Sequence, residues 1–132
     1  MKNLFVVFFT VFLISSCSDE IEGDWDDNIH LSTRMVNFGV AADSTIITTK
    51  GEWWWIDSIQ LNDSIYRYSN DSIDLLSDAY KLVEKEFILV RKNTKTLFIK
   101  MNANKTGTVR RLVIGLEAGD YFDSVTVIQA AQ

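Results

Sequence analysis

The chain has no proline, one cysteine, one histidine and six glycines in 132 residues. Each scarcity removes a class of protein. Without proline there is no Pro-rich linker and no extended polyproline stalk. A single cysteine, Cys17, forms no internal disulfide and no Cys-based metal set. A single histidine, His30, has no Ser or Cys partner pattern near it, so a nucleophile–base pair is not indicated. Basic residues are also in deficit, 13 Lys and Arg against 18 Asp and Glu, for a formal charge of −5. That balance is unsuited to nucleic acid, whose affinity comes largely from Lys and Arg on phosphates. There is no Gly-rich phosphate loop and no other cofactor motif. What is present is apolar: 47% hydrophobic and 12% aromatic, enough for one domain with a core and too short for two.

The first residues read as an address. Met1-Lys2-Asn3 is a short positive start, and Leu4–Ile14 is apolar except for Thr10. That run falls short of the roughly 20 residues that span a bilayer and has the length of a signal-peptide core. Leu13-Ile14-Ser15-Ser16-Cys17 follows and resembles a bacterial lipobox. The resemblance implies cleavage after residue 16, acylation of Cys17 and anchorage to the membrane through it. The alternative is an ordinary secretory signal in which Cys17 is incidental. Ser18-Asp19-Glu20 resembles the surface-export signal of Bacteroidetes lipoproteins, which implies the outer membrane and exposure at the cell surface. Residues 17–30 read as an acidic tether, with no apolar period to pack.

From Leu31 onward the pattern is short strands between polar corners. Met35–Val40, Thr45–Thr49, Trp53–Leu61, Ile65–Tyr68, Lys81–Val90 and Leu97–Met101 are the expected strands. A last pair, Thr108–Leu116 and Tyr121–Gln129, turns at Ala118-Gly119-Asp120, where Gly supplies a positive φ. Asn70–Tyr80 is either a helical turn or a long loop. Strands without alternating helices predict an all-β, immunoglobulin-like antiparallel sandwich of about seven strands over residues 31–132.

Three features then resemble the BACON (Bacteroidetes-associated carbohydrate-binding) family. They are Trp53-Trp54-Trp55 after the second strand, Asn102-Ala103-Asn104-Lys105-Thr106-Gly107 before Arg110 and Arg111, and Val125–Gln129 followed by Ala130-Ala131. Ile59–Glu86 departs from the family as a longer connection. The resemblance implies a sandwich on an exported protein with a carbohydrate- or mucin-binding role, or a spacer role.

The residues themselves allow that chemistry. An extended backbone puts Trp53 and Trp55 on one face and Trp54 on the other. An exposed ring offers a flat negative face to the C–H side of a pyranose. Tyr66 and Tyr68 would extend such a platform, with Asp57, Asn62 and Asp63 as polar partners. The competing reading puts the inward ring in the core and the outward rings beneath Asn62–Tyr80. Asp-Ser-aliphatic triplets at Ser58, Ser64, Ser72 and Ser124 resemble an O-glycosylation motif of exported Bacteroidetes proteins; Asp-Ser is also ordinary turn chemistry. The dense acids between Asp57 and Asp78 lack Ca²⁺-loop spacing, and Glu52, Glu84, Glu86 and Glu117 show no pairing of the kind a glycosidase needs. Arg110 or Arg111 is expected to pair across strands with Asp123. The expectation is a non-catalytic surface lipoprotein binding glycan, or alternatively one that contacts a protein partner in an outer-membrane complex.

Overall fold

The computed structural model describes residues 26–69 and 72–132. Residues 1–16, Cys17, Trp25 and Asp71 of the third Asp-Ser triplet lie outside them. Among the described residues there are nine strands and no helix. They are β1 (Met35–Phe38), β2 (Asp43–Thr48), β3 (Trp55–Leu61), β4 (Ser64–Tyr66), β5 (Tyr80–Val83), β6 (Phe87–Asn93), β7 (Thr96–Met101), β8 (Arg110–Ala118) and β9 (Tyr121–Gln129). Two sheets stack face to face, a five-stranded one in the order β1-β9-β8-β3-β4 and a four-stranded one in the order β2-β7-β6-β5. The architecture is an immunoglobulin-like β-sandwich.

Alternation builds it. On β6 and β7, Phe87, Leu89, Leu97, Ile99 and Met101 point inward and are buried, while their neighbours are at least partly exposed. Ile59, Ile114 and Val125 form a matching inward row across the other sheet. Inward side chains from both sheets fill the space between them, which removes the apolar area that drives folding.

Four details differ from the expected order. The stretch Lys81–Val90 holds two strands, because Glu84-Lys85-Glu86 is a turn closed by the Glu84 amide on the Phe87 carbonyl at 2.9 Å. The added β5 takes the eight stretches read as strands to nine and makes residues 72–79, without a helix, its lead-in. Pairing is antiparallel except between β1 and β9, which run parallel. Packing also starts before Leu31. Ile29 is fully buried, Leu31 bridges Thr49 on the edge of the four-stranded sheet, and the chain then crosses to β1 in the other sheet. Lastly, Asp123 pairs with Arg34 (Nη2–Oδ2 2.7 Å) and not with Arg110 or Arg111. Arg110 turns to the Asn102 carbonyl, and Arg111 is exposed.

Two polar knots fix the ends. Asn104, with no exposed surface, donates to the carbonyls of Thr108 (2.8 Å) and Ala130 (2.9 Å) and accepts from the Thr106 amide and hydroxyl. Its own amide donates to the Val40 carbonyl, so one side chain and its backbone join three segments. At the other knot Asp27 accepts from the amides of Ile29 and His30 and from Arg34, which also holds Asp123.

Removing a fully bonded buried amide leaves several donors and acceptors unsatisfied at roughly 1–3 kcal/mol each. Asn104→Ala is therefore expected to lower stability in urea unfolding by about 2–4 kcal/mol, against less than about 0.5 for exposed Lys105→Ala. A loss below about 1 kcal/mol would remove Asn104 from this role. For Asp27, partial burial raises the carboxyl pKa, but hydrogen bonds from His30, Arg34 and Ile29 outweigh it and hold the group below 3.8. A depressed carboxylate stabilises the fold above its ordinary pKa and loses that contribution as pH falls through the folded value. An NMR pH titration of the Ile29 and His30 amides should show a midpoint below 3.8; one at or above it contradicts the knot.

Candidate functional site

The three tryptophans stand where the turn after β2 meets the start of β3. That turn is fastened from below, since the amides of Lys50 and Gly51 both donate to the Ile29 carbonyl. Trp53 and Trp54 precede β3, so the strand starts later than expected, at Trp55. Side chains nonetheless alternate. Trp54 is 2% exposed and Trp53 is 72% exposed. Trp54 donates Nε1–H to Thr49 Oγ1 at 3.0 Å, which satisfies its one polar atom inside the sandwich.

Beneath Trp54 lies Arg91, whose guanidinium carbon is 4.1 Å from the indole centroid. Arg91 occupies an inward position of β6, opposite Tyr80 and Leu97, and is 1% exposed. Its Nη1 donates to the Ser77 carbonyl at 3.2 Å, and Nη2 is 3.8 Å from Asp78. Among the described residues, Nε and the neighbouring Tyr80 hydroxyl are buried and have no hydrogen-bond partner. Burial lowers the Arg91 pKa, opposed by Tyr80 and Asp78. The Tyr80 phenol is pushed up to about 12 by burial, opposed by the charge of Arg91. A buried guanidinium with so little pairing leans on the indole face, where desolvated cation–π contacts reach about 2 kcal/mol.

Above Trp54 the surface opens. Trp53 stands edge to face on Trp55, with centroids 5.4 Å apart and planes at 74°, and its ring lies over Gly119. Gly119 has φ 63°, so it also serves the β8–β9 turn. Trp55 is half-buried and donates to Glu117 Oε2 at 3.2 Å. A depression of about 350 Å³ lies here, lined by the three rings with Glu52, Leu76, Asp78 and Arg91. Glu52 pairs with Lys95 at 2.9 Å, and the Asp78 side chain is 70% exposed. The result is one exposed indole held at a fixed angle, with carboxylates at the rim.

Tyr66 and Tyr68 do not join it. They line a second depression of about 590 Å³ with Ile56, Asp57, Ser58 and Leu75. Adjacent Leu75 and Leu76 face the two depressions separately. Tyr66 packs edge to face on Phe87 at 5.0 Å, and the Tyr68 hydroxyl donates to Glu84 at 2.8 Å. Burial, then Glu84, raises the Tyr68 pKa. Asn62 and Asp63 make the two-residue β3–β4 hairpin, with Asn62 at φ 50° and its side chain accepting from the Arg111 amide. Ser58, Ser64 and Ser72 are exposed, and Ser124 is partly buried. Ser58 lies at a bulge in β3 against Gly115, where a Cβ would meet its hydroxyl. Ser124 follows an aspartate whose carboxylate accepts its amide at 2.8 Å, the local turn chemistry of Asp-Ser. Among the described residues no three or more His, Cys, Asp or Glu gather as a metal site.

Sequence reasoning passed over Arg91, Leu76 and Asp78 as parts of this corner. A signal for Arg91 was present: it follows Phe87 and Leu89 at alternate positions, so it had to face inward.

No family model and no curated protein matches the chain. A solved structure, described as the NMR structure of a protein from Bacteroides thetaiotaomicron, is similar with a TM-score of 0.66 at 16% identity, covering 86% of this chain and 94% of that one. At that identity the likeness is one of fold.

The inward and outward tryptophan positions separate by measurement. Trp54→Ala is expected to cost about 3–5 kcal/mol in urea unfolding, as for other buried aromatics. Trp53→Ala should cost less than about 1 kcal/mol and reduce the fluorescence quenched by acrylamide, whereas Trp54→Ala should leave that quenching in place. Equal costs would contradict the inward–outward division.

Proposed function

We propose that the chain is a non-catalytic lipoprotein, held in the outer membrane through acyl groups on Cys17 and exposed at the cell surface, whose BACON-like sandwich binds carbohydrate at the Trp53 corner. The observation that carries this reading is Trp53 itself. A tryptophan 72% exposed, with its ring position set by Trp55 and Gly119, is ready to stack before any ligand arrives. Preorganisation of this kind reduces the entropy lost on binding. The adjoining depression of about 350 Å³ sits at the small end of ligand sites and suits one sugar ring. Glu52 and Asp78 are acceptors for sugar hydroxyls, and Leu76 adds an apolar side chain to the lining. Tyr66 and Tyr68, engaged with Phe87 and Glu84, are not assigned to this site. The Asp-Ser serines at 58, 64 and 72 remain proposed glycosylation acceptors on the ground of exposure.

A second reading has its own observation. Leu76 is 68% exposed and Phe122 is 61% exposed, and Phe122 shares a cross-strand row with Glu117 and Trp55. Aromatic and aliphatic groups together also suit a protein partner.

A tryptophan-fluorescence titration of the mature chain against a glycan panel tests the first reading. The expected result is a saturable shift with one glycan class, weakened at least about tenfold by Trp53→Ala, or ~1.4 kcal/mol, while the fold survives. Asp78→Asn should weaken it to a lesser degree. No response across the panel would remove carbohydrate and leave the protein-partner reading.

A further inference from the structure

The outer face of the four-stranded sheet carries a pattern that the tryptophan corner does not explain. Its outward positions are Ser44, Ile46 and Thr48 on β2, Thr96, Phe98 and Lys100 on β7, Ile88, Val90 and Lys92 on β6, and Lys81 and Val83 on β5. Two cross-strand rows form the centre. One runs Ile46–Phe98–Val90–Lys81 and the other Ser44–Lys100–Ile88–Val83. Five of these positions are apolar, three are lysine and none is acidic, in a chain of formal charge −5. Ile46 is 52% exposed and Val83 60% exposed. Lys92 extends over the Phe98 ring, with Nζ 5.2 Å from its centroid.

We propose that this face lies against an anionic lipid surface. Charge complementarity selects an acidic partner, and two further observations select lipid over protein. Protein interfaces are poor in lysine and rich in Tyr, Trp, Phe, Met and Arg, whereas this face has three lysines and, of the enriched types, Phe98 alone. Protein partners also anchor in pockets. The depressions at the tryptophan corner and beside Tyr66 are lined by none of these residues. A flat face of Ile, Val and Phe between long lysine stems is the composition of an interfacial surface, where stems lie along acyl chains and ammonium groups meet phosphates. Tether length adds to this, resting on the Cys17 anchor proposed above. Asp26 follows Cys17 by nine positions, a reach of at most about 30 Å, so even weak affinity would seat the face on the bilayer. The domain would then lie with its four-stranded sheet down, and the five-stranded sheet would point away from the membrane.

The test is co-sedimentation of the mature chain carrying Cys17→Ser, so that no acyl chain contributes. The vesicles are phosphatidylcholine alone, or phosphatidylcholine with about 30% phosphatidylglycerol, at low salt of about 50 mM. Binding is expected only to the anionic vesicles and should fall as salt rises. Lys81→Gln/Lys92→Gln/Lys100→Gln should weaken it about five-fold per lysine, roughly a hundredfold together. Arg67→Gln/Lys105→Gln/Arg111→Gln changes the net charge equally at exposed positions off this face and should leave most binding intact. Near-UV circular dichroism checks that each variant is folded. Absence of wild-type binding to anionic vesicles overturns the proposal, as does equal loss in both triple variants. Trp53→Ala should not alter vesicle binding, so failure here and failure of the carbohydrate reading are separate results.

Discussion

An extended backbone sends successive side chains to opposite sides, and three consecutive tryptophans cannot escape that constraint. At Trp53–Trp55 it decides both the core and the surface. Trp54 turns inward, bonds Thr49 and covers Arg91. Trp53 must then turn outward, and Trp55 follows on the same side at the start of β3, close enough for an edge-to-face contact. The ring that closes one end of the sandwich and the ring that forms the candidate site are thus fixed by a single local geometry. The turn beneath them is in turn held by Ile29, which explains why packing begins before the first strand.

Charge is distributed with the same economy. Arg91 is inside, on an indole, with an exposed aspartate at 3.8 Å as its ion-pair partner. Arg34 draws Asp27 and Asp123 into one cluster, joining the lead-in segment to β9. Glu52 and Asp78 remain at the rim of the tryptophan depression, and the outward positions of the four-stranded sheet hold lysine without acid. A chain acidic in total therefore presents different chemistry at one corner and on one sheet. The carbohydrate site proposed at the corner and the lipid-facing surface proposed on the sheet use separate residues.

Much of the fold was legible because alternation is a local signal. Leu97, Ile99 and Met101 declared β7, and Gly119 declared the β8–β9 turn with its φ of 63°. What was not legible depended on distant contacts. Glu84-Lys85-Glu86 contains no Gly, Asn or Asp, so nothing marked the turn that divides β5 from β6. The parallel pairing of β1 with β9 and the choice of Asp123 by Arg34 join residues about 90 positions apart, where sequence patterning carries no register. Asn104 looked like one more polar corner residue, and only burial revealed that it ties three segments. In the candidate site the alternation of the tryptophans could be read directly. The separation of Tyr66 and Tyr68 from them could not, because it follows from Leu75 and Leu76 lying between the two depressions.

The central claim is that alternation at Trp53–Trp55 places one indole in the core and another at a carbohydrate site. Indole N–H signals in heteronuclear NMR report on each ring separately, both in exchange with solvent and on addition of glycan. The account predicts that the Trp54 indole, bonded to Thr49, exchanges slowly and stays unmoved by ligand, while the Trp53 signal exchanges fast and shifts on saturation with one glycan class. A Trp54 indole exchanging at the solvent rate would contradict the structural half of the claim, and a Trp53 signal indifferent to every glycan would contradict the functional half.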